Sequence, residues 1–126
     1  MLKKLPSKEA IQVSNAITEL LYPIKSITHT ITSDNGKEFA YHKIISDTLN
    51  IDFYFCDPYS SWQRGLNENT NGLVRRYIPK RTSFDEVSDN EIQMIQYRLN
   101  HRPRKSLGYR TPYEVFMQDI SRKLVA

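Results

Sequence analysis

Cysteine is nearly absent from this sequence of 126 residues, which contains Cys56 alone. A single cysteine excludes a disulfide framework and a cysteine-based structural zinc site, so we expect the protein to reside in the reducing interior of a cell. Long apolar runs are also absent: no stretch approaches the ~20 residues of a membrane span, and the opening MLKKLPSKEA lacks the apolar segment of a secretory signal. The sequence therefore predicts no membrane partner and a cytoplasmic location.

Glycine and proline are sparse, at four and six residues, while 39% of the residues are hydrophobic. This composition predicts one domain with a folded core. The charge is uneven along the chain. Residues 1–61 carry six Lys or Arg against seven Asp or Glu, whereas residues 62–126 carry twelve against seven. The second half supplies all of the net charge of +4, which favours a polyanionic partner.

The first half predicts a packing helix followed by a βαβ unit. Ser7 can cap a helix that starts behind Pro6 and ends before Pro23. The alternation in ITHTIT predicts a strand over residues 27–32, and residues 37–49 and 51–56 predict a helix and a second, buried strand parallel to the first. The side chains expected to face the core are Ala10, Ile11, Ala16, Ile17, Leu20, Leu21, Ile27, His29, Ile31, Phe39, Ile44, Ile45, Leu49 and Cys56.

The second half predicts three helices. The first covers residues 67–78, with Leu66, Leu73, Val74 and Tyr77 on one apolar stripe. The second begins with a capping box from Ser88 to Glu91, and the third begins with Thr111 as the cap, Pro at the first position and Glu three residues after the cap. The side chains expected to face the core of these two helices are Ile92, Ile95, Leu99, Val115, Phe116 and Ile120.

Asp34 is the first candidate for chemistry, because it follows the first predicted strand in the turn SDNG. Asn35 and Gly36 tolerate positive φ, and Ser33 or Asp34 can accept the next backbone N–H groups. Reactive groups of α/β sheets lie at the carboxyl ends of strands. An aspartate that merely caps the following helix is the alternative interpretation.

Glu68 is the second candidate, with 33 residues between it and Asp34. At ~100° per residue it lies about 200° from Leu66, away from the apolar stripe. Beside it stand Asn71, Gly72 and Arg75. Glycine in a helix interior costs about 1 kcal/mol relative to alanine, which favours a ligand that approaches the backbone there. A solvated helix face is the alternative, and two acids brought together could share a divalent metal.

Aromatic, amide and cationic side chains fall in two predicted loops. The first contains Tyr59, Trp62, Gln63 and Arg64, and the second contains Arg102, Arg104, Lys105 and Arg110 around Pro103 and Gly108. Such side chains can stack on bases or contact phosphates. An ordinary surface loop and a solvated run of charge are the alternatives.

Three segments carry a resemblance: SDNGKEFA, PYSSWQRGLNENTNGLVRRYIPK and LNHRPRKSLGYRTPYEVF. Together they resemble the catalytic core of DDE transposases related to retroviral integrases, and within these the bacterial enzymes of the insertion-sequence-thirty type. The resemblance covers roughly residues 27–116. Its motifs are specific because the turn after an aspartate, the interval of 33 residues, the glutamate within NEN and the basic tail occur in this order.

The resemblance implies an α/β, RNase H-like (integrase core) fold in which two aspartates and a glutamate hold two Mg²⁺ or Mn²⁺ ions. Asp34 would match the second aspartate and Glu68 the glutamate. Metal ions activate the attacking oxygen and stabilise the leaving oxygen in phosphodiester cleavage and strand transfer, and Mg²⁺ prefers oxygen ligands. The side chains that would then hold DNA are Trp62, Gln63, Arg64, Asn71, Arg75, Arg76, Arg102, Arg104 and Lys105.

One acid of the implied triad has no counterpart in the sequence. In the family, the first aspartate lies on a strand that precedes the helix beginning near Ser7, and residues 1–33 contain only Glu9 and Glu19, both on that helix. We therefore expect residues 1–126 to form a partial catalytic core, incomplete at the N-terminus, as the carboxyl-terminal part of a transposase. Such a chain would be inactive alone.

Two functions remain open from the sequence. The first is a metal-dependent DNA strand transferase core; the second is a catalytically inactive remnant that binds DNA, self-associates or joins full-length transposase. An unrelated acid-pair phosphohydrolase explains neither the basic tail nor the aromatic loop. Because missing strands would expose apolar edge surface, we also expect poor stability as a monomer.

Overall fold

The described part of the computed structural model contains two parallel strands and a set of helices, which are divided between two units. It describes residues 1–57 and 65–125, with the backbone alone for residues 65–68, 124 and 125. The chain divides into an amino-terminal unit, Leu5–Glu68, and a carboxyl-terminal unit formed by Met1–Lys4 and Asn69–Ala126. No helix in the described ranges has both the length and the apolar character needed to cross a membrane.

The amino-terminal unit contains the sheet. Its elements are α1 (Ala10–Leu21), a 3-10 helix (Tyr22–Ile27), β1 (Thr30–Ser33), a 3-10 helix (Lys37–Phe39), α2 (His42–Leu49) and β2 (Asp52–Phe55). β1 and β2 are parallel, with Thr30 opposite Asp52 and Ser33 opposite Phe55. Helix α2 contacts both β2 and α1. The predicted βαβ order and the parallel pairing are therefore confirmed.

The core of this unit is formed by Ile45, Leu49 and Ile51. Partly buried side chains from the surrounding elements complete it: Ile17, Leu21, Ile31 and Phe53. Ile45 and Leu49 are four residues apart on α2, so they lie one above the other on the side that meets β2 and α1. Asn50 adopts a left-handed conformation at φ 53°, ends the helix and directs the chain into β2.

The predicted start of the first strand at residue 27 is wrong. A 3-10 helix, with Pro23 in its first turn, continues to Ile27, and β1 begins only at Thr30, which is paired with Asp52. His29 consequently precedes the strand and is exposed rather than packed in the core. It borders an open polar pocket of about 390 Å³ together with Ser46, Asp47, Asn50, Ile51 and Asp52.

Several expected core positions are also wrong, because only a narrow stripe of each helix meets a neighbour. Ile11 is 48% exposed on α1, whereas Ser14 is 2% exposed. On α2, Ile44 is 50% exposed although Ile45 beside it is 1% exposed. The predicted helix 37–49 is also interrupted, since the 3-10 helix ends at Phe39 and α2 starts at His42.

The second strand is not buried, although the residues on either side of it are. Ile51 before β2 and Cys56 after it are buried, as predicted for Cys56, but Tyr54 and Phe55 within β2 are exposed. The reason is that β2 pairs with β1 alone in the described sheet, and α2 packs against it. The expectation of a fully buried second strand is therefore wrong.

The start of α1 also differs from the prediction. Ser7 does not cap the helix, since the helix begins at Ala10 with Glu9 at the N-cap position. The Ser7 hydroxyl instead donates to Gln12 Oε1 at 3.0 Å and accepts from the Glu9 N–H. The end of α1 at Leu21, before Pro23, is confirmed.

The carboxyl-terminal unit is helical. It comprises most of α3 (Gly65–Tyr77), a 3-10 helix (Phe84–Glu86), α4 (Asp89–Asn100), a 3-10 helix (Lys105–Leu107) and α5 (Pro112–Val125). Its core is made of Ile78, Val87, Ile95 and Leu99, and Leu2, Leu73, Val74 and Ile92 pack against these. Tyr77 and Phe116, both expected to face the core, are 38% and 43% exposed.

Both predicted helix caps in this unit are confirmed. The Ser88 hydroxyl accepts from the Glu91 N–H at 3.2 Å, and the Thr111 hydroxyl accepts from the Glu114 N–H at 3.1 Å. Each bond satisfies one of the N–H groups that a helix leaves unpaired at its start. The positions of α4 and α5 are therefore specified locally by the sequence.

Replacement of the α4 cap should lower the stability of the carboxyl-terminal unit. We expect Ser88→Ala to reduce the free energy of unfolding by about 1 kcal/mol, because the Glu91 N–H loses its acceptor. Ser106→Ala is the matched control, since Ser106 is an exposed serine away from a helix N-cap. Urea unfolding followed by circular dichroism measures both. Equal effects of the two substitutions would contradict the capping role.

Candidate active site

Asp34 lies at the carboxyl end of β1, directly after Ser33, which is the last residue of the strand. Its carboxylate Oδ1 accepts the Gly36 N–H at 2.9 Å, so the side chain closes a turn on its own backbone. Asp34 is partly buried. The predicted position of Asp34 at the rim of the sheet is therefore confirmed, while its catalytic role remains a prediction.

Hydrogen bonds to the neighbouring strand hold this turn in place. The Cys56 N–H donates to the Ser33 carbonyl at 2.8 Å, and the Asn35 side-chain amide donates to the Cys56 carbonyl at 3.2 Å. The Ser33 hydroxyl donates to the Asp34 carbonyl at 2.9 Å, and Ser33 is only 5% exposed. The turn that carries Asp34 is therefore fixed to the ends of both strands.

Gly36 does not serve this turn in the way that the sequence predicted. Its φ is −63°, which any residue adopts, so positive φ plays no part, and Asn35 is likewise outside the positive-φ residues. A Cβ on Gly36 would overlap the carboxylate of Glu38, which is the far end of a flexible side chain and can move aside. The Glu38 carboxylate therefore lies against the turn held by Asp34. The spacing of Gly and Glu in DNGKE was the available signal for this contact.

Acidic residues occur in the segments that follow the two strands. Asp57 follows Cys56, whose N–H is bonded to the Ser33 carbonyl, so Asp34 and Asp57 come directly after the carboxyl ends of β1 and β2. Asp34, Glu38 and Asp57 offer carboxylate oxygens, the ligand type that Mg²⁺ prefers. Within residues 1–57 and the described part of 65–125, no three His, Cys, Asp or Glu side chains form a ready metal-binding group.

Glu68 lies in the first turn of α3, as the sequence predicted for a helix after a loop. Its side chain is outside the described residues, so the meeting of its carboxylate with that of Asp34 remains a prediction. Trp62, Gln63 and Arg64 also lie outside the described residues. Their contacts with DNA remain a prediction.

The polar face of α3 is open and partly basic. Asn71 and Arg75 border a groove of about 290 Å³ that is also lined by Val74 and Phe84. The Arg75 guanidinium carbon lies 5.5 Å from the centroid of the Phe84 ring, which holds the cation over an aromatic face. A Cβ on Gly72 would have no neighbour within 4 Å. The backbone at Gly72 is therefore accessible, as the predicted approach of a ligand requires.

Arg76 and the cations after α4 are placed at element ends. Arg76 is exposed in the last turn of α3. Arg102 and Lys105 are exposed, while Arg104 is partly buried and its Nε atom has no hydrogen-bond acceptor in the described part of the chain. Arg110 is engaged locally, because it donates to the Leu107 carbonyl and to Gln118 Oε1 at 3.2 and 3.0 Å.

The loop that carries these cations is tightly closed. The Arg104 N–H donates to the Arg110 carbonyl at 3.0 Å, and the Tyr109 N–H donates to the Arg104 carbonyl at 2.9 Å. Gly108 and Tyr109 both have positive φ, at 63° and 64°. This conformation is uncommon for tyrosine. The predicted stiff loop around Gly108 is therefore present.

An aromatic stack next to this loop was missed by the sequence reasoning. The ring of His101 is 4.0 Å from that of Tyr97 and 4.7 Å from that of Tyr113, with interplanar angles of 22° and 25°. The spacing of Tyr97 and His101, four residues apart on α4, was a signal for half of this stack. The participation of Tyr113, from the start of α5, has no local signal.

The sequence is similar to insertion-sequence transposases over nearly its whole length. It is 54% identical over 125 residues to the transposase for insertion sequence element IS4351 of Bacteroides fragilis, a match that covers 99% of this chain and 38% of that relative. It is 38% identical over 119 residues to the transposase InsI of element IS30A of Escherichia coli (strain K12), covering 94% and 31%. The chain thus spans about a third of the length of these relatives. It matches no protein-family model.

The fold is similar to a solved integrase domain. The catalytic core domain of BIV integrase superposes with a TM-score of 0.71 at 22% sequence identity, over 97% of this chain and 80% of that one. This similarity confirms the predicted RNase H-like, integrase-core fold with a reduced sheet. Together with the sequence similarities, it confirms the resemblance drawn from the motifs: the chain is similar to part of the IS30-type insertion-sequence transposases and has the fold of an integrase catalytic core.

Proposed function

We propose that this chain is a partial catalytic core for DNA transposition, in which Asp34 and Glu68 supply two of the carboxylates that hold divalent metal. The observation that carries the proposal is Asp34 at the carboxyl end of β1, in a turn bonded to the end of β2. The reaction of the complete site is metal-dependent phosphodiester cleavage and strand transfer. The substrate is DNA, both the transposon ends and the target. The protein would act in the cytoplasm, where this DNA is present.

The donor set fits Mg²⁺ or Mn²⁺. Asp34 and Glu68 would bind the cation, and water or substrate phosphate oxygens would complete its coordination. When bound, such metals polarise phosphate oxygens and stabilise charge on the attacking and leaving groups. The protein's own contribution is rigidity, because the turn at Asp34 is fixed by the Gly36, Asn35 and Cys56 hydrogen bonds. A ligand held in one orientation loses little entropy when the cation binds.

The basic half of the chain would hold the DNA backbone. On α3, Asn71, Arg75 and Arg76 are exposed, and Arg102 and Lys105 extend from the closed loop after α4. Exposed cations on fixed backbone are suited to phosphate contacts, which position DNA without reading its sequence. In the proposal, Trp62, Gln63, Arg64 and Arg104 also contact DNA.

Inactivity of the chain by itself is part of the proposal. The resemblance calls for a third carboxylate on a strand before α1, and neither Glu9, at the N-cap of α1, nor Glu19, within α1, replaces it. The second candidate function is therefore a catalytically inactive remnant that binds DNA or associates with itself or a full-length transposase. The exposed side chains of Ile44, Tyr54 and Phe55 favour association, because apolar surface of this kind gains by being covered.

DNA binding is the first experimental test. We expect duplex DNA to bind with an affinity that falls steeply with salt, and the double variant Arg102→Gln, Lys105→Gln to reduce the slope of log K against log salt by roughly two. Fluorescence anisotropy of labelled duplex over a salt series measures this slope. The matched control is Arg122→Gln, Lys123→Gln, which removes the same charge from the last turn of α5. An equal change in both double variants would contradict a specific role for the loop.

Cleavage assays test the expected inactivity of the chain by itself. Nicking or strand joining in the presence of Mn²⁺, lost in Asp34→Asn, would contradict it and identify a working catalytic core. DNA retention without cleavage is the expected result. Absence of DNA binding by the wild-type chain at low salt would overturn the catalytic core and the DNA-binding remnant, and would leave only association with itself or a full-length transposase.

A further inference from the structure

The aromatic stack of Tyr97, His101 and Tyr113 is exposed, so core packing does not account for it. Tyr97 is 63% exposed and Tyr113 is 47% exposed, although both rings lie within 5 Å of the His101 ring, at centroid distances of 4.0 and 4.7 Å. Stacked rings in a folded protein are usually buried, since burial of their area provides most of the stabilisation. Here much of the ring surface at both ends of the stack remains in contact with solvent.

The stack is held by the ends of two helices. The His101 Nδ1–H donates to the Tyr97 carbonyl at 2.8 Å, which fixes the imidazole one turn above the Tyr97 ring. Tyr113 lies in the first turn of α5, whose start is fixed by the Thr111 cap. Helices α4 and α5 contact each other. The rings are therefore pre-organised before any ligand binds, which lowers the entropic cost of stacking on them.

Three exposed cationic residues are close in sequence to the residues of the stack. Arg98 follows Tyr97 and is exposed, Arg102 follows His101 and is exposed, and Lys105 is exposed in the next short helix. Glu114, next to Tyr113, is the one acid among the residues from 97 to 118. Surfaces that bind single-stranded nucleic acid have two components: exposed aromatic rings, on which bases stack, and cations, which contact phosphates.

A base pair inside a duplex offers no free face to such a surface, because its neighbours already stack on both sides, and only the outer face of a terminal pair is open. An unpaired base has an open face, and stacking on an aromatic ring contributes about 1–3 kcal/mol per base. The exposed stack is therefore selective for DNA with an unpaired nucleotide over blunt duplex. The cations alone would not distinguish the two forms, since both carry phosphates.

We propose that the aromatic stack, with the flanking cations Arg98, Arg102 and Lys105, binds an unpaired nucleotide of a DNA strand by base stacking. The proposal rests on the proposed DNA-binding function and adds the form of DNA that this surface takes. Tyr97, as the more exposed ring, carries the larger share of the stacking.

The test uses two probes, a blunt DNA duplex and the same duplex with a short single-stranded extension that contains 2-aminopurine, a fluorescent base whose emission falls on stacking. We expect the extended duplex to bind roughly fivefold to 100-fold more tightly than the blunt one, with quenched emission. Tyr97→Leu should remove the preference and the quenching but leave blunt-duplex affinity unchanged. Tyr97→Phe should retain both, because the ring remains.

Two controls keep the result interpretable. Tyr22→Leu removes a tyrosine that is 51% exposed beyond the end of α1 and should change nothing. Circular dichroism establishes that Tyr97→Leu is folded; Tyr113→Leu, which should also weaken the preference, replaces it if it is not. Equal binding of both probes by the wild-type chain overturns the stacking proposal while leaving DNA binding intact. Absence of binding to either probe at low salt overturns the proposed function as well.

Discussion

Asp34→Asn is expected to abolish divalent metal binding while leaving the fold intact. The asparagine carbonyl oxygen can still accept the Gly36 N–H that Asp34 Oδ1 now accepts at 2.9 Å, so the turn persists. The negative charge is lost, and neutral amide oxygen is a weaker ligand for Mg²⁺ or Mn²⁺. Changes to the groups around metal ligands reduce affinity 10–100-fold, so loss of a direct ligand should cost at least about 100-fold. Isothermal titration with Mn²⁺ measures the affinity.

Two further substitutions sharpen this result. Asp85→Asn removes an exposed aspartate from the short helix Phe84–Glu86 and serves as the control for a nonspecific effect of charge. Glu68→Gln should weaken Mn²⁺ binding as Asp34→Asn does if both carboxylates hold the same cation. Wild-type affinity in both Asp34→Asn and Glu68→Gln would remove the metal assignment. The effect in one variant alone would separate the roles of the two acids.

Ile45→Ala is expected to have the largest effect on stability. Ile45 is 1% exposed and lies in the cluster with Leu49 and Ile51, so its truncation leaves a cavity and should cost about 2–5 kcal/mol. Because typical domains are stable by only about 5–15 kcal/mol, a loss of this size can unfold the amino-terminal unit. Urea unfolding followed by far-ultraviolet circular dichroism measures the difference.

The adjacent residue provides a matched control for this prediction. Ile44 has the same side chain on the same helix but is 50% exposed, so Ile44→Ala should change the free energy of unfolding by less than about 0.5 kcal/mol. Comparable losses for Ile44→Ala and Ile45→Ala would mean that Ile44 is covered in solution, for example by self-association. Repeating the measurement at several protein concentrations distinguishes that case, because association makes stability depend on concentration.

The candidate site was predicted from the sequence in part. Asp34 at the carboxyl end of a strand followed from the ITHTIT alternation and the SDNG turn, since both are local patterns. The contact between the Glu38 carboxylate and Gly36 was not predicted, although the two residues are only two positions apart. The stack of Tyr97, His101 and Tyr113 was missed because its third ring comes from a separate helix.

The sequence by itself determined the features that depend on near neighbours in the chain. These include the caps at Ser88 and Thr111, the end of α1 before Pro23, the order of strand, helix and strand, and the motifs shared with insertion-sequence transposases. Hydrogen bonds between residues a few positions apart and the preferences of proline and glycine act before any tertiary contact forms. Such features can therefore be predicted from the sequence.

Only the tertiary structure decided which apolar side chains are covered. Ile44 and Ile45 are equally hydrophobic, and the partners α1 and β2 bury one and leave the other exposed. His29 lies outside the core because β1 begins where Asp52 can pair with Thr30. Burial and strand register are properties of two surfaces that meet, and the sequence of one segment specifies only one of those surfaces.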